Sequence, residues 1–220
     1  DHTKRLLERG EVIRTSSDSR TVIFGLASGA GPYTGDGTVY FEGDLRPGNS
    51  PGTVSFGGDV VLGPGSTTQI ELGGFSAGAE HDHLNIAGAA NLDGTLNLVQ
   101  LAPYTDPAVR GTSDDFVLIT AGARSGTFST VQYDGSTLVT DFGPDSNGSF
   151  RSHQGDGLFR NITYTSTTVQ LQNLLAHEGD SDGDQDVDIT DFNALAANFD
   201  PDGATAPHSW PAGNFNGDHS

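Results

Sequence analysis

The sequence predicts a mainly β protein that ends in a small loop-helix module, and three observations point there. Short runs of alternating or β-branched residues recur from residue 21 onward, cut by Gly, Pro, Asn and Asp. The 220 residues include 31 Gly and 10 Pro, while only 34% are hydrophobic. That balance favours many tight turns around a thin, sheet-walled core over a thick globular one. Finally, Arg160 is the last basic residue, and the acids crowd into the stretch that follows it.

In chain order, residues 1–20 read as a lead-in, with a weak helical periodicity over 3–12 in which Leu6, Leu7 and Ile13 take part. Strands are expected at 21–24, 38–42, 53–56, 59–62, 68–72, 83–86, 95–99, 116–120, 127–132, 137–141 and 161–171. The run 115–120, Asp-Phe-Val-Leu-Ile-Thr, is continuously apolar at its centre and predicts a strand buried on both faces. The run 68–72, Thr-Gln-Ile-Glu-Leu, alternates and predicts one wet face. A boundary is placed near His177, because Glu178, Asp180, Asp182, Asp184, Asp186, Asp188, Asp191, Asp200, Asp202 and Asp218 follow it without a Lys or Arg. The domains expected are therefore 1–20, 21–176 and 177–220.

Composition excludes several functions. Ten Lys and Arg against 29 Asp and Glu leave a net charge of −19, which repels phosphate backbones and argues against nucleic acid as a partner. No stretch approaches the ~18 apolar residues of a membrane-spanning helix. Without cysteine there is no disulfide framework, thiolate zinc site or cysteine nucleophile. The chain opens on Asp1, contains no Met and stops inside a repeated loop motif, so it is expected to be a piece of something larger.

Several segments share a particular wording: Gly37-Thr38-Val39-Tyr40-Phe41-Glu42-Gly43-Asp44, Ile70-Glu71-Leu72-Gly73-Gly74, Asp82-His83-Leu84-Asn85-Ile86-Ala87-Gly88, Leu92-Asp93-Gly94-Thr95-Leu96, and Phe116-Val117-Leu118-Ile119-Thr120-Ala121-Gly122. This wording resembles the C-terminal end of the β-solenoid passengers of bacterial surface proteins, the autotransporter-associated β-strand type. The resemblance covers roughly residues 37–128 and implies a right-handed parallel β-solenoid on a secreted or cell-surface protein. Strands stacked coil on coil at ~4.8 Å satisfy each other's backbone groups and need only a thin apolar interior. A β-sandwich uses the same ingredients and is the alternative architecture.

The strongest chemical signal is Asp180-Ser181-Asp182-Gly183-Asp184-Gln185-Asp186-Val187-Asp188-Ile189-Thr190-Asp191. Counting Asp180 as position 1, oxygen side chains fall at 1, 3, 5, 9 and 12, and Asp186 offers a backbone carbonyl at 7. This is the ligand spacing of a 12-residue calcium loop. Ca²⁺ takes six to eight hard oxygen ligands, which alternate residues can aim at one centre, whereas Mg²⁺ demands near-octahedral geometry and keeps its waters. Phe192, Leu195, Ala196 and Phe199 then recur at helical spacing until Asp200-Pro201-Asp202-Gly203 stops the run.

A loop followed by a helix, with a strand rather than a helix before it, resembles the type I dockerin repeat. The resemblance implies Asp180, Asp182, Asp184, Asp188 and Asp191 as side-chain ligands and Asp186 as a carbonyl ligand. A second site is implied to begin at Asn214, Asn216 and Asp218, within Gly213-Asn214-Phe215-Asn216-Gly217-Asp218. Two departures stand out: Gln185 occupies position 6, where glycine is usual, at a cost of about 1 kcal/mol, and the second motif starts late. The implied cofactor is Ca²⁺, and the implied partner is a cohesin-like protein or another cell-surface component.

Other constellations carry less. His81 and His83 sit two apart, yet no third ligand is evident, and an exposed strand with ordinary polar residues is the expectation. Asp114 and Asp115 are adjacent, so on a strand they face opposite ways and cannot flank one glycosidic bond. No G-x-S-x-G elbow is set between a strand and a helix. The reading is a non-catalytic extracellular structural or docking protein. The alternative is the non-catalytic C-terminal region of a polysaccharide-degrading glycosyl hydrolase that bears a dockerin for cellulosome-like assembly.

Overall fold

A computed structural model describes residues 13–14, 19–48, 51–106, 113–198 and 211. The periodicity read over 3–12 lies outside them. In chain order the elements are β1 (Ile13–Arg14), β2 (Arg20–Ile23), β3 (Ala27–Gly29), β4 (Tyr33–Thr34), β5 (Thr38–Phe41), β6 (Asp44–Pro47), β7 (Thr53–Phe56), β8 (Val60–Leu62), β9 (Thr67–Leu72), β10 (His83–Leu92), β11 (Thr95–Gln100), β12 (Asp114–Gly126), β13 (Thr130–Tyr133), β14 (Ser136–Thr137), β15 (Phe150–His153), β16 (Leu158–Tyr164), β17 (Thr168–Leu175) and the helix α1 (Ile189–Asn198). The protein is mainly β. Contacts divide it into two units, one drawing on Asp1–Tyr104, Phe116–Leu138 and Thr163–Gln170, the other on Thr105–Asp115, Val139–Ile162 and Leu171–Ser220.

The first unit is built from parallel strands that pair with strands well separated in sequence. Thr21 lies opposite Val39, Val39 opposite Val60, and Val60 opposite Ala90. A second ladder runs from Val54 to Leu84 to Ile119, and a separate sheet runs from Leu45 to Thr68 to Leu96 to Val131. Because side chains alternate sides along a strand, this register lays inward residues over inward residues. β5, β7 and β13 alternate half-buried and buried residues throughout, as does β9, where Thr68, Ile70 and Leu72 are buried. The interior is accordingly made of short stacks such as Ile70, Leu98 and Tyr133. At one end of the stack Tyr33 lies flat on Phe56 at 4.5 Å while Phe41 meets both rings edge-on at 5.9 Å, the offset geometries aromatic pairs prefer.

Aspartates bind the turns of this unit together. Asp82 accepts hydrogen bonds from the amides of Gly52, at 2.7 Å, and Glu71, at 2.9 Å. Asp59 accepts from Ala89 N and Asp134 from Gln100 N, while the Ser129 hydroxyl donates to Asp93. Each carboxylate joins a donor to a residue well separated along the chain, and in the Asp82–Gly52 pair the bond is buried, so an amide outside the strands finds an acceptor. Gly94, at φ +71°, turns the chain so close to the carbonyls of Gly63 and Ser66 that a Cβ has no room.

The second unit contains an antiparallel pair, β15 and β16, with Arg151 opposite Asn161. Phe159, Leu174 and Ala176 form its apolar centre, with Phe142 packed against them. Arg160 is buried, donating to both carboxylate oxygens of Asp106 at 3.1 and 3.2 Å and to Asn173 at 2.9 Å. The fork of the guanidinium suits that bidentate arrangement.

Several expectations need correction. The run 115–120 is not buried on both faces: Asp115 is exposed and Val117 half-buried, and only at Leu118 and Ile119 do two inward residues follow one another. The strand expected at 161–171 is two strands, β16 and β17, because the Thr165 hydroxyl takes the amides of Thr167 and Thr168 and closes a turn there. Of the strand expected at 137–141 only Thr137 lies in a strand, as the second residue of β14. β10 runs on past 86 through Gly88 to Leu92, across an irregularity in its pairing. His81 and Asp82 are buried, not exposed on a strand; the His81 ring lies between the carbonyls of Gly74 and Val117, while the His83 ring reaches the Thr120 hydroxyl.

Burial pushes the Asp82 carboxyl up to about 6 against its two amide donors, from an ordinary 3.8. Between those values the unfolded chain gives up this proton while the folded chain keeps it, so the contribution of Asp82 to stability falls as pH rises from about 4 to 6. Urea unfolding at pH 4 and pH 6.5 is expected to show the parent losing stability relative to Asp82→Asn over this interval. Parallel profiles for the two proteins count against the assignment.

Candidate metal centre

The acidic loop starts where the chain leaves β17. The Asp180 amide donates to His177 O at 3.0 Å, and Gly179 takes φ +100° to make the bend. Asp180 itself is fully buried. Its carboxylate is satisfied from within the loop, by Gly183 N at 2.6 Å on one oxygen and Gln185 N at 3.0 Å on the other. Asp182 accepts from Asp184 N, and Asp184 from Asp186 N. These carboxylate-to-amide bonds two residues on are Asx turns, which aspartate forms readily, and they curl the loop so that its first three odd positions approach one another.

Asp180, Asp182 and Asp184 meet there: their carboxylate oxygens lie within 4.8 Å of one another. Three like charges so close repel by on the order of 1 kcal/mol per pair in bulk water and by more where water is excluded. Asp182 is nearly buried, and that burial lifts its carboxyl above the usual range; the Arg151 guanidinium opposes the rise and the charges of Asp184, Asp191 and Asp180 add to it. Arg151 approaches from β15, its Nη2 atom 3.3 Å from Asp182 and its Nη1 atom 4.0 Å from Asp184.

The remaining implied ligands have other partners. Asp188 caps α1, accepting from Thr190 N at 2.6 Å, while Asp191 reaches back to accept from Asp188 N at 2.7 Å, so two amides at the start of the helix are satisfied by side chains. The second oxygen acceptor of Asp191 takes the Ser181 amide at 2.6 Å and hydroxyl at 2.9 Å, tying the start of the loop to the start of the helix. Burial raises the Asp191 carboxyl, but the donors from Asp188 and Ser181 outweigh it and leave the group below its usual range. Asp186 and Asp188 are exposed. Asn214, Asn216 and Asp218 lie outside the described residues. Asp114 and Asp115 do face apart, one buried and one exposed.

Two groups at this site were not foreseen from sequence, Arg151 and Ser181. Ser181 lies inside the motif, and its hydroxyl next to an acid at position 1 is a readable signal. Arg151 is brought in by the β15–β16 hairpin, and no spacing rule connects it to the loop. Helix α1 does form, yet Phe192 is 62% exposed and Ile189 and Leu195 are exposed too, so its apolar residues are not a buried face.

The donor set is all hard oxygen, with neither thiolate nor imidazole among the three carboxylates. That chemistry and convergence fit a calcium ion better than a softer metal. The left-handed conformation that position 6 demands is present, with Gln185 at φ +72°.

No protein-family model matches the sequence. The chain is 37% identical over 67 residues, 29% of its length, to the adhesin BmaC autotransporter of Brucella suis biovar 1 (strain 1330), and the match spans 2% of that protein. The similarity is thus partial, and the chain corresponds to a small part of the relative.

Gly183 and Gln185 test the loop in opposite directions. Gly183 sits at φ +73°, and a Cβ there would meet the Phe159 ring well inside contact distance. Gly183→Ala is expected to destabilise the second unit by about 2–4 kcal/mol, adding left-handed strain to overpacking. Gln185→Gly relieves the strain of a side chain at positive φ and should stabilise it by up to about 1 kcal/mol. Chemical denaturation of both variants in EDTA checks the pair, and a neutral Gly183→Ala refutes the packing described.

Proposed function

We propose that this chain is a non-catalytic section of a secreted or cell-surface structural protein, a right-handed parallel β-solenoid followed by a calcium-stabilised, dockerin-like loop and helix. The observation that carries the reading is the register of the first unit. Parallel partners recur turn after turn with inward residues stacked on inward residues, as a coil stacked on a coil requires, whereas a sandwich of hairpins calls for antiparallel neighbours. Right-handedness is the usual sense of parallel crossovers. The partial similarity to an autotransporter adhesin supports a place at the cell surface, and the net charge of −19 suits an extracellular cation rather than an anionic partner.

In this reading Asp180, Asp182 and Asp184 hold the ion, with Asp186, Asp188 and Asp191 as further ligands of the dockerin type, and Asn214, Asn216 and Asp218 begin a second site. Calcium supplies two positive charges that cancel the mutual repulsion of the carboxylates and lets the loop bear load. The module would dock a cohesin-like protein or another surface component. The order of loop, then helix, after a strand supports this.

Calorimetric titration of the chain with Ca²⁺ is expected to give saturable heat that Asp180→Ala and Asp182→Ala abolish and that Mg²⁺ reproduces only weakly; equal heats from parent and variants remove the site. For location, an antibody raised against the chain should label intact cells of the source bacterium without permeabilisation. Labelling confined to permeabilised cells contradicts a surface role.

A further inference from the structure

The acidic loop already holds a positive charge, supplied by another element of the same unit. Arg151 lies on β15, and its guanidinium meets Asp182 and Asp184, two of the three carboxylates that converge. The group is fixed from several directions. Its guanidinium carbon stands 5.6 Å over the Phe142 ring, an arrangement in which the ring face attracts the cation. The backbones of Arg151 and Phe142 exchange hydrogen bonds at 2.9 and 3.1 Å. Phe142 in turn packs against Phe159, the ring that Gly183 of the loop contacts. The Arg151 side chain is 23% exposed, so its charge acts on the carboxylates across little intervening water.

We propose that Arg151 is a built-in competitor of the metal, an internal cation that neutralises Asp182 and Asp184 in the ion-free loop and must yield those oxygens when calcium enters. The inference rests on the calcium reading above. A carboxylate oxygen directed at a guanidinium is not free to face a metal, and a cation left beside a divalent ion repels it. The arginine therefore does two opposing things: it stabilises the loop without metal and weakens the loop's affinity for it. The ion-free and ion-bound states differ in which cation holds the acids, and the concentration at which one replaces the other is set by a residue on a different strand.

The test compares the parent, Arg151→Gln and Arg151→Lys by calorimetric Ca²⁺ titration and by thermal unfolding in EDTA. Arg151→Gln is expected to bind Ca²⁺ roughly tenfold more tightly and to melt about 2–4 °C lower in EDTA. Arg151→Lys keeps the charge while losing the planar fork, and its affinity should stay close to that of the parent. If the parent binds Ca²⁺ and Arg151→Gln binds it equally or less tightly, the competition is refuted while the calcium site stands. Tenfold tighter binding by Arg151→Lys likewise refutes it, and this arm remains decisive if the Gln variant does not fold. If none of the three proteins binds Ca²⁺, the calcium reading itself fails, and the competition with it.

Discussion

The parallel register is the constraint from which the rest of the first unit follows. Once Val39 must lie over Val60 and Val60 over Ala90, the inward residues of neighbouring strands must be shapes that stack, chiefly aliphatic and aromatic side chains. The core is then about one side chain deep, as in Ile70, Leu98 and Tyr133 or the trio Tyr33, Phe41 and Phe56. A chain with 34% hydrophobic residues can fill an interior of that kind. The price is a dependence on corners, where the ladder hydrogen bonds stop and amides need other acceptors.

Aspartate supplies those acceptors, and this gives the acidity of the chain a structural meaning. Asp82 buries its carboxylate between two amides, and Asp59, Asp93 and Asp134 bridge donors distant in sequence. The same device recurs on a smaller scale in the loop of 180–191, where Asp180, Asp182, Asp184, Asp188 and Asp191 each hold backbone amides. A carboxylate is well suited because it offers several lone-pair positions and donates nothing. At these positions the excess negative charge of the composition is a set of backbone acceptors.

Much of this was legible because it is local. Thr53–Phe56 falls where its alternation places it, and β5, β9 and β11 differ from expectation by one residue at an end. The aspartate spacing of the loop marked the three carboxylates that converge, and glycine's absence at position 6 marked the residue that adopts positive φ. What escaped was set by partners distant in sequence. Thr165 to Thr168 carry three β-branched residues in four, so only the hydroxyl-capped turn reveals that two strands are present. The burial of His81 depends on carbonyls of Gly74 and Val117, and the role of Arg151 depends on a hairpin; neither leaves a trace in the spacing around the residue.

The N-terminal cap of α1 has one more implication. A helix of ten residues is marginal in water on its own, and Ile189, Phe192 and Leu195 spend little of their surface on packing that would hold it. Its helix–coil balance consequently hangs on Asp191, whose one carboxylate also grips Ser181 at the far end of the loop. Winding of the helix and closure of the loop therefore draw on the same carboxylate, so a change at that one side chain acts on both segments at once.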